Sequence, residues 1–165
     1  MKKITFLALL SILTLSTIAQ NKFGYIDSQE LLMLMPERKK AETKVQEFAK
    51  SLEAQLGSMT AEYQQGVQEY QNNEATYTDL IKQDKVAEIT GLEQRIQAFQ
   101  QNAQQSLQAK EQELLEPILA KARKAIEDVA SEGDYTYIFD KSIGSILYAK
   151  DSENVIGLVK KKLKL

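Results

Sequence analysis

Apolar residues recur at helical spacing over most of this chain. From residue 45 onward they fall at Val45, Phe48, Leu52, Leu56, Met59, Tyr63, Val67 and Tyr70, in steps of three or four. The pattern repeats every eleven residues, as Val45, Leu56 and Val67 illustrate, and a period of ~3.67 residues per turn keeps one face of a nearly straight helix apolar. A second stripe, Leu92, Ile96, Phe99, Ala103, Leu107, Lys110, Leu114 and Ile118, follows the same steps with Lys110 as its one polar member. Polar residues separate the two, at Gln71-Asn72-Asn73 and from Thr76 to Asp79. Two such stripes predict an antiparallel coiled-coil helical hairpin over residues 37–131 that reverses near 72–80. No Gly or Pro marks the reversal, so one continuous bent helix is the alternative there. Arms of roughly 40 residues would each span about 60 Å, which predicts a projecting, tentacle-like arm. Pro117 falls inside the second stripe, and its missing N–H predicts a bend.

Outside the hairpin the period changes. Lys22-Phe23-Gly24-Tyr25-Ile26-Asp27 reads as a short strand, and Asp27-Ser28 as the cap of a short helix that stops at Met35, because the residue before Pro36 avoids helical geometry. Tyr135 to Asp140 and Ser145 to Ala149, joined by Lys141 to Gly144, predict a β-hairpin. Asp151 or Ser152 is the expected cap of a last amphipathic helix whose lysines gather at its C-terminal end. The fold class predicted is α+β, mostly α, with the helical arm attached to a small β-rich body made of residues 20–36 and 132–165.

The first residues bear on the compartment. Lys2 and Lys3 precede an apolar run from Ile4 to Leu15 and then Thr17-Ile18-Ala19, the pattern of a secretory signal peptide spanning 1–19 and cleaved after Ala19. A membrane anchor is the alternative, but the run falls short of the roughly 20 apolar residues that a span requires. Removing it leaves 146 of the 165 residues, with 19 basic against 23 acidic side chains. A protein that neutralises phosphates needs a concentrated basic face; here the longest basic cluster is Lys160 to Lys162 with Lys164, so nucleic acid is not an expected partner. The chain contains no His and no Cys, which removes the common neutral-pH acid–base residue, the thiol nucleophile and most transition-metal ligands. No phosphate-binding glycine loop is present, and acidic neighbours such as Glu111 and Glu113 read as solvated helix surface. No enzymatic activity, metal or cofactor is expected.

Without the arm, about 51 residues remain for the body, too few to be reliably stable alone without disulfides or metal. Its short strands would also leave open edges, which invite pairing with another chain. The chain is therefore expected to oligomerise through Phe23, Tyr25, Ile26, Tyr137, Phe139, Ile146 and Tyr148.

The order of parts, with Phe23-Gly24-Tyr25-Ile26-Asp27-Ser28 at one end and Tyr137-Ile138-Phe139-Asp140 and Ile146-Leu147-Tyr148 at the other, resembles the Skp (OmpH-like) family across essentially the whole chain after the signal. The resemblance implies a homotrimer with a β body and three tentacle-like arms around a cavity. It further implies a periplasmic holdase chaperone that shelters unfolded outer-membrane proteins. A structural coiled-coil adaptor or scaffold of the cell envelope is the rival reading. Better-known members of the family look basic, whereas residues 41–120 here hold 13 acidic against 6 basic side chains, which predicts no electrostatic capture of acidic clients. Weak multipoint binding requires adaptable amphipathic side chains, for which Met59, Tyr63, Tyr70, Tyr77 and Phe99 are the candidates. All but Tyr77 also have the spacing of residues that fill the seam between the arms. The C-terminal lysines either complement the helix dipole or make a weak contact with an anionic membrane surface.

Overall fold

The computed structural model describes residues 21–165; the expected signal peptide, residues 1–19, lies outside them. In chain order the elements are β1 (Phe23–Ile26), α1 (Ser28–Leu34), α2 (Pro36–Asn73), α3 (Asp79–Glu132), β2 (Tyr137–Asp140) and α4 (Ile156–Leu163), with short 3-10 turns at Glu74–Thr76 and Asp151–Glu153. The described residues form two compact units, one from Gln29–Lys124 and one from residues 21–28 together with Ala125–Lys164.

The first unit is a helical hairpin. Pro36 opens α2 because its fixed φ and absent N–H suit a first helical turn, and Met35 before it is extended, with ψ 121°. Every residue of the two apolar stripes, from Val45 to Tyr70 and from Leu92 to Ile118, is buried or half-buried. Ion pairs between the helices mark the register: Lys85 meets Glu69 at 3.1 Å, Arg95 meets Glu62 at 3.6 Å, and Lys121 meets Glu37. The two residue numbers in each pair add up to nearly the same value, the signature of antiparallel helices. Lys110, the polar member of the stripe, is half-buried and holds Glu113 one turn on at 2.9 Å.

The reversal falls in the predicted stretch and manages without Gly or Pro. Thr76 Oγ1 donates to the Asn73 carbonyl at 2.7 Å, Tyr77 is extended, and Lys82 N–H donates to the Thr78 carbonyl at 2.9 Å to start α3. Side-chain hydroxyls and a 3-10 turn thus supply the hydrogen bonds that the interrupted helix gives up. α3 then continues through Pro117.

In the second unit β1 and β2 pair in parallel, Phe23 opposite Tyr137 and Tyr25 opposite Phe139. On its other side β1 meets the residues before α4, where Val155 N–H donates to the Tyr25 carbonyl at 3.0 Å. Tyr25, Ile26, Ala125, Val129, Val155 and Val159 are buried and form the core of this unit. Gly24 and Gly133 flank the Tyr135 ring so closely that a Cβ on either would lie 3.0 Å or less from a ring atom. The motif Phe23-Gly24-Tyr25 therefore needs its glycine for close approach.

Two expectations are corrected here, and one contact is added. Ser145 to Ala149 forms no strand, so the predicted β-hairpin is absent from the described residues; β2 has taken β1 as its partner, and the returning segment makes no ladder bond. Asp151 and Ser152 lie in a 3-10 turn and do not cap α4, whose first N–H donates to Asn154 Oδ1 at 3.0 Å. At the start of α1, Asp140 from β2 accepts from Ser28 N–H at 3.2 Å and from Ser28 Oγ at 2.5 Å. A strand residue distant in sequence thus also accepts from the first N–H of α1.

Candidate functional site

Residues paired in register point to the same side of a sheet, so Phe23, Tyr25, Tyr137 and Phe139 share a face. Three of the rings cluster there. Phe23 stacks on Tyr137 with centroids 6.1 Å apart and planes 11° from parallel, and Phe139 sits 5.9 Å from Tyr137 and 6.3 Å from Phe23. The cluster remains open to solvent, with Phe23 46%, Tyr137 60% and Phe139 48% exposed. Tyr25 and Ile26 are buried instead, so these two of the seven candidate interface residues serve the core of the unit in the single chain. The outer edge of β2 pairs with no strand among the described residues.

Immediately after β2 comes a stretch without regular structure in which Leu147 is 97% and Tyr148 82% exposed; Ile146 is half-buried. Asp140 anchors its start, accepting from Ser142 N–H at 2.9 Å as well as from Ser28. Burial acts to raise the Asp140 pKa, but the hydrogen bonds from Ser28 and Ser142 outweigh it and hold the carboxyl below its ordinary range.

In the hairpin, Met59, Tyr63, Tyr70, Tyr77 and Phe99 are all half-buried. Met59, Tyr63, Tyr70 and Phe99 lie on the seam stripes, each with an edge open to solvent. Tyr77 folds back over the reversal, its ring 6.4 Å from that of Tyr70. Near the reversal Leu80 and Ile81 are large and open to solvent; they lie off the seam and belong to neither apolar stripe. Their position directly after the polar break, at the start of a helix, was the signal available in the sequence.

At the C-terminus, Lys162 pairs with Glu132, and that hydrogen bond raises the Lys162 pKa. Lys160 to Lys162 occupy the last turn of α4, and Leu158 stays exposed. Among the described residues no group of acidic side chains is placed to hold a metal ion, and no helix is long and apolar enough to cross a membrane.

The family model for OmpH-like outer membrane proteins matches residues 22–163. The chain belongs to the OmpH-like family. A crystal structure from Caulobacter crescentus, provisionally described as an outer membrane chaperone (OmpH-like), superposes on this OmpH-like chain with a TM-score of 0.77 at 13% identity. The match covers 89% of this chain and 87% of that one, and at such low identity it speaks for the shared fold. A search of curated proteins gives no significant match. The OmpH-like match takes in both compact units, so the strand pair with its aromatic face and the helical hairpin belong to one family unit.

Proposed function

We propose that this OmpH-like protein is a periplasmic holdase chaperone that binds unfolded outer-membrane proteins and keeps them from aggregating on their way to the outer membrane. The observation that carries this reading is the family match over residues 22–163; the provisional chaperone description of the Caulobacter crescentus relative agrees with it. The active form is a homo-oligomer, three copies by family resemblance. Phe23, Tyr137 and Phe139 on the open sheet face, together with Ile146 and Tyr148 beyond it, are the proposed contact between copies, while Tyr25 and Ile26 are already buried within the single chain. The signal peptide is removed on export.

Binding takes place along the hairpin. A two-helix seam covers only one side of each side chain it contains, so Met59, Tyr63, Tyr70 and Phe99 keep an open edge for a client, and Tyr77 stands at the reversal. Such contacts are individually weak and gain strength by number, which suits a client that must be released unfolded. No nucleotide or metal enters this mechanism.

The test is light scattering of a denatured outer-membrane β-barrel protein diluted into buffer with and without the purified chain. Suppressed aggregation at a few-fold molar excess, without nucleotide, is expected; unchanged scattering would end the proposal. A pull-down that recovers one stoichiometric partner in place of many unfolded clients would favour the envelope adaptor.

A further inference from the structure

The reversal end of the helical hairpin carries apolar surface that the hairpin cannot cover. In the first turn of α3, Leu80 is 68% and Ile81 42% exposed, and Val86 follows at 48%. Lys85, Ile89 and Leu92 are the less exposed residues that mark the seam side of α3, and Leu80 lies roughly half a turn away from them around the helix. These aliphatic side chains have no part in starting α3. Thr78 does that, accepting from Ile81 N–H through its Oγ1 at 3.4 Å and from Lys82 N–H through its carbonyl at 2.9 Å.

The charge around this surface has one sign. Residues 69–88 hold five acidic and two basic side chains, and one of the two cations, Lys85, is engaged by Glu69 at 3.1 Å and Glu88 at 3.4 Å. Glu74, Asp79 and Asp84 make no ion pair among the described residues. The half-buried rings of Tyr70 and Tyr77 lie beside carboxylates, the Tyr70 hydroxyl 3.5 Å from Glu74 Oε1 and the Tyr77 hydroxyl 3.5 Å from Glu69 Oε1. Aromatic faces next to carboxylates offer a cation two kinds of attraction at once. At the other end of the hairpin, residues 36–44 and 114–124 hold 7 basic and 3 acidic side chains. α2 alone has 38 residues, so at ~1.5 Å per residue the two ends are separated by several Debye lengths of about 8 Å at physiological salt. Each end therefore acts on a ligand by itself.

We propose that the reversal end of the hairpin binds basic amphipathic stretches of unfolded polypeptide, in which lysine or arginine alternates with apolar side chains. The inference rests on the chaperone reading and specifies the client segment and its place on the arm. Charge complementarity selects the occupant. Apolar side chains of the segment cover Leu80 and Ile81, its cations meet Glu74 and Asp84 and the tyrosine faces, and the basic end of the hairpin repels the same segment. An anionic lipid surface or a nucleic acid would be repelled by these carboxylates.

The experiment uses the full-length exported chain and a labelled 15-residue peptide alternating Lys with Leu or Val, read by fluorescence anisotropy. The same peptide with Gln for Lys is the control. The basic peptide is expected to bind at least about fivefold tighter than the Gln peptide, and raising NaCl from ~50 to ~300 mM should erase most of the difference. L80S/I81S should weaken basic-peptide binding roughly tenfold at either salt, and E74Q/D84N roughly fivefold at low salt only. Both variants change exposed positions and should keep their helicity. Asp79 stays in place, because a carboxylate in the first turn stabilises α3. E47Q/E53Q, which removes equal charge from the other half of α2, should leave peptide binding unchanged. Equal affinity for both peptides, equal losses from the two charge variants, or undiminished binding by L80S/I81S overturns the proposal. So does binding of phosphatidylcholine vesicles without binding of the peptide, or a self-association that Leu80 and Ile81 control while peptide binding stays unchanged. Aggregation suppression measured on the same preparations separates the two claims: if it survives in the wild type while the peptide arms fail, only the assignment of this end is wrong.

Discussion

Replacing Tyr137 and Phe139 by serine tests the proposed contact between copies, and the structure sets the scale of the effect. Phe23, Tyr137 and Phe139 are 46%, 60% and 48% exposed. Side chains of this class offer ~150–250 Å² each, so about 300 Å² of aromatic surface stays open on each copy. Covering it would contribute up to about 7 kcal/mol per copy at ~25 cal/mol per Å², of which the two serines remove roughly 5 kcal/mol. Within the single chain the same change loses only the ring contacts, about 1–2 kcal/mol. Y137S/F139S should therefore weaken assembly on the order of a thousandfold and leave the helices intact. Sedimentation velocity across ~1–50 µM, with circular dichroism on the same samples, separates the two effects. An unchanged mass distribution would refute the idea that this face is the contact. Loss of helicity in parallel with dissociation would show that the rings hold the fold of the chain itself.

Four further outcomes are expected. Asp140→Ala removes the acceptor of three hydrogen bonds and should cost about 2 kcal/mol in urea unfolding followed by tyrosine fluorescence. Because the folded pKa of Asp140 lies below its ordinary value of 3.8, its contribution is complete above that value and fades as pH falls through the folded one; the variant should thus lose its deficit at the acid end of a pH series. Lys110→Leu replaces the polar member of the seam and should stabilise the hairpin by about 0.5–1 kcal/mol in thermal unfolding, since the exposed pair with Glu113 is worth little. Gly133→Ala places a Cβ 2.5 Å from Tyr135 and 3.0 Å from the Val129 carbonyl, and should destabilise by roughly 1–3 kcal/mol, with Y135A recovering part of the loss. L80S/I81S alters two solvent-facing residues near the reversal and should move the melting point by no more than ~0.5 kcal/mol equivalent, while reducing aggregation suppression if clients touch that end.

The helical hairpin was legible from the chain alone because its signal is long and periodic. Two stripes of eight residues at a constant step leave one way to bury both, and the polar break between them sits where α2 ends at Asn73 and α3 begins at Asp79. Pro36 likewise declared a helix start by local chemistry. The strand segments around Tyr25 and Phe139 were legible as strands, yet their pairing was not: a four-residue strand carries no code for its partner, and the nearby Ser145 to Ala149 had the better local claim. Only the tertiary arrangement could bring Phe23 opposite Tyr137, more than a hundred residues away, and so leave three rings open on one face. It also brought Asp140 to the first N–H of α1 and placed Lys40, Lys44 and Lys121 around one groove, because groups distant along a chain meet only when the folded elements bring them together. Periodicity is a local property and can be read in order; partners, edges and fields depend on what the folded chain places side by side.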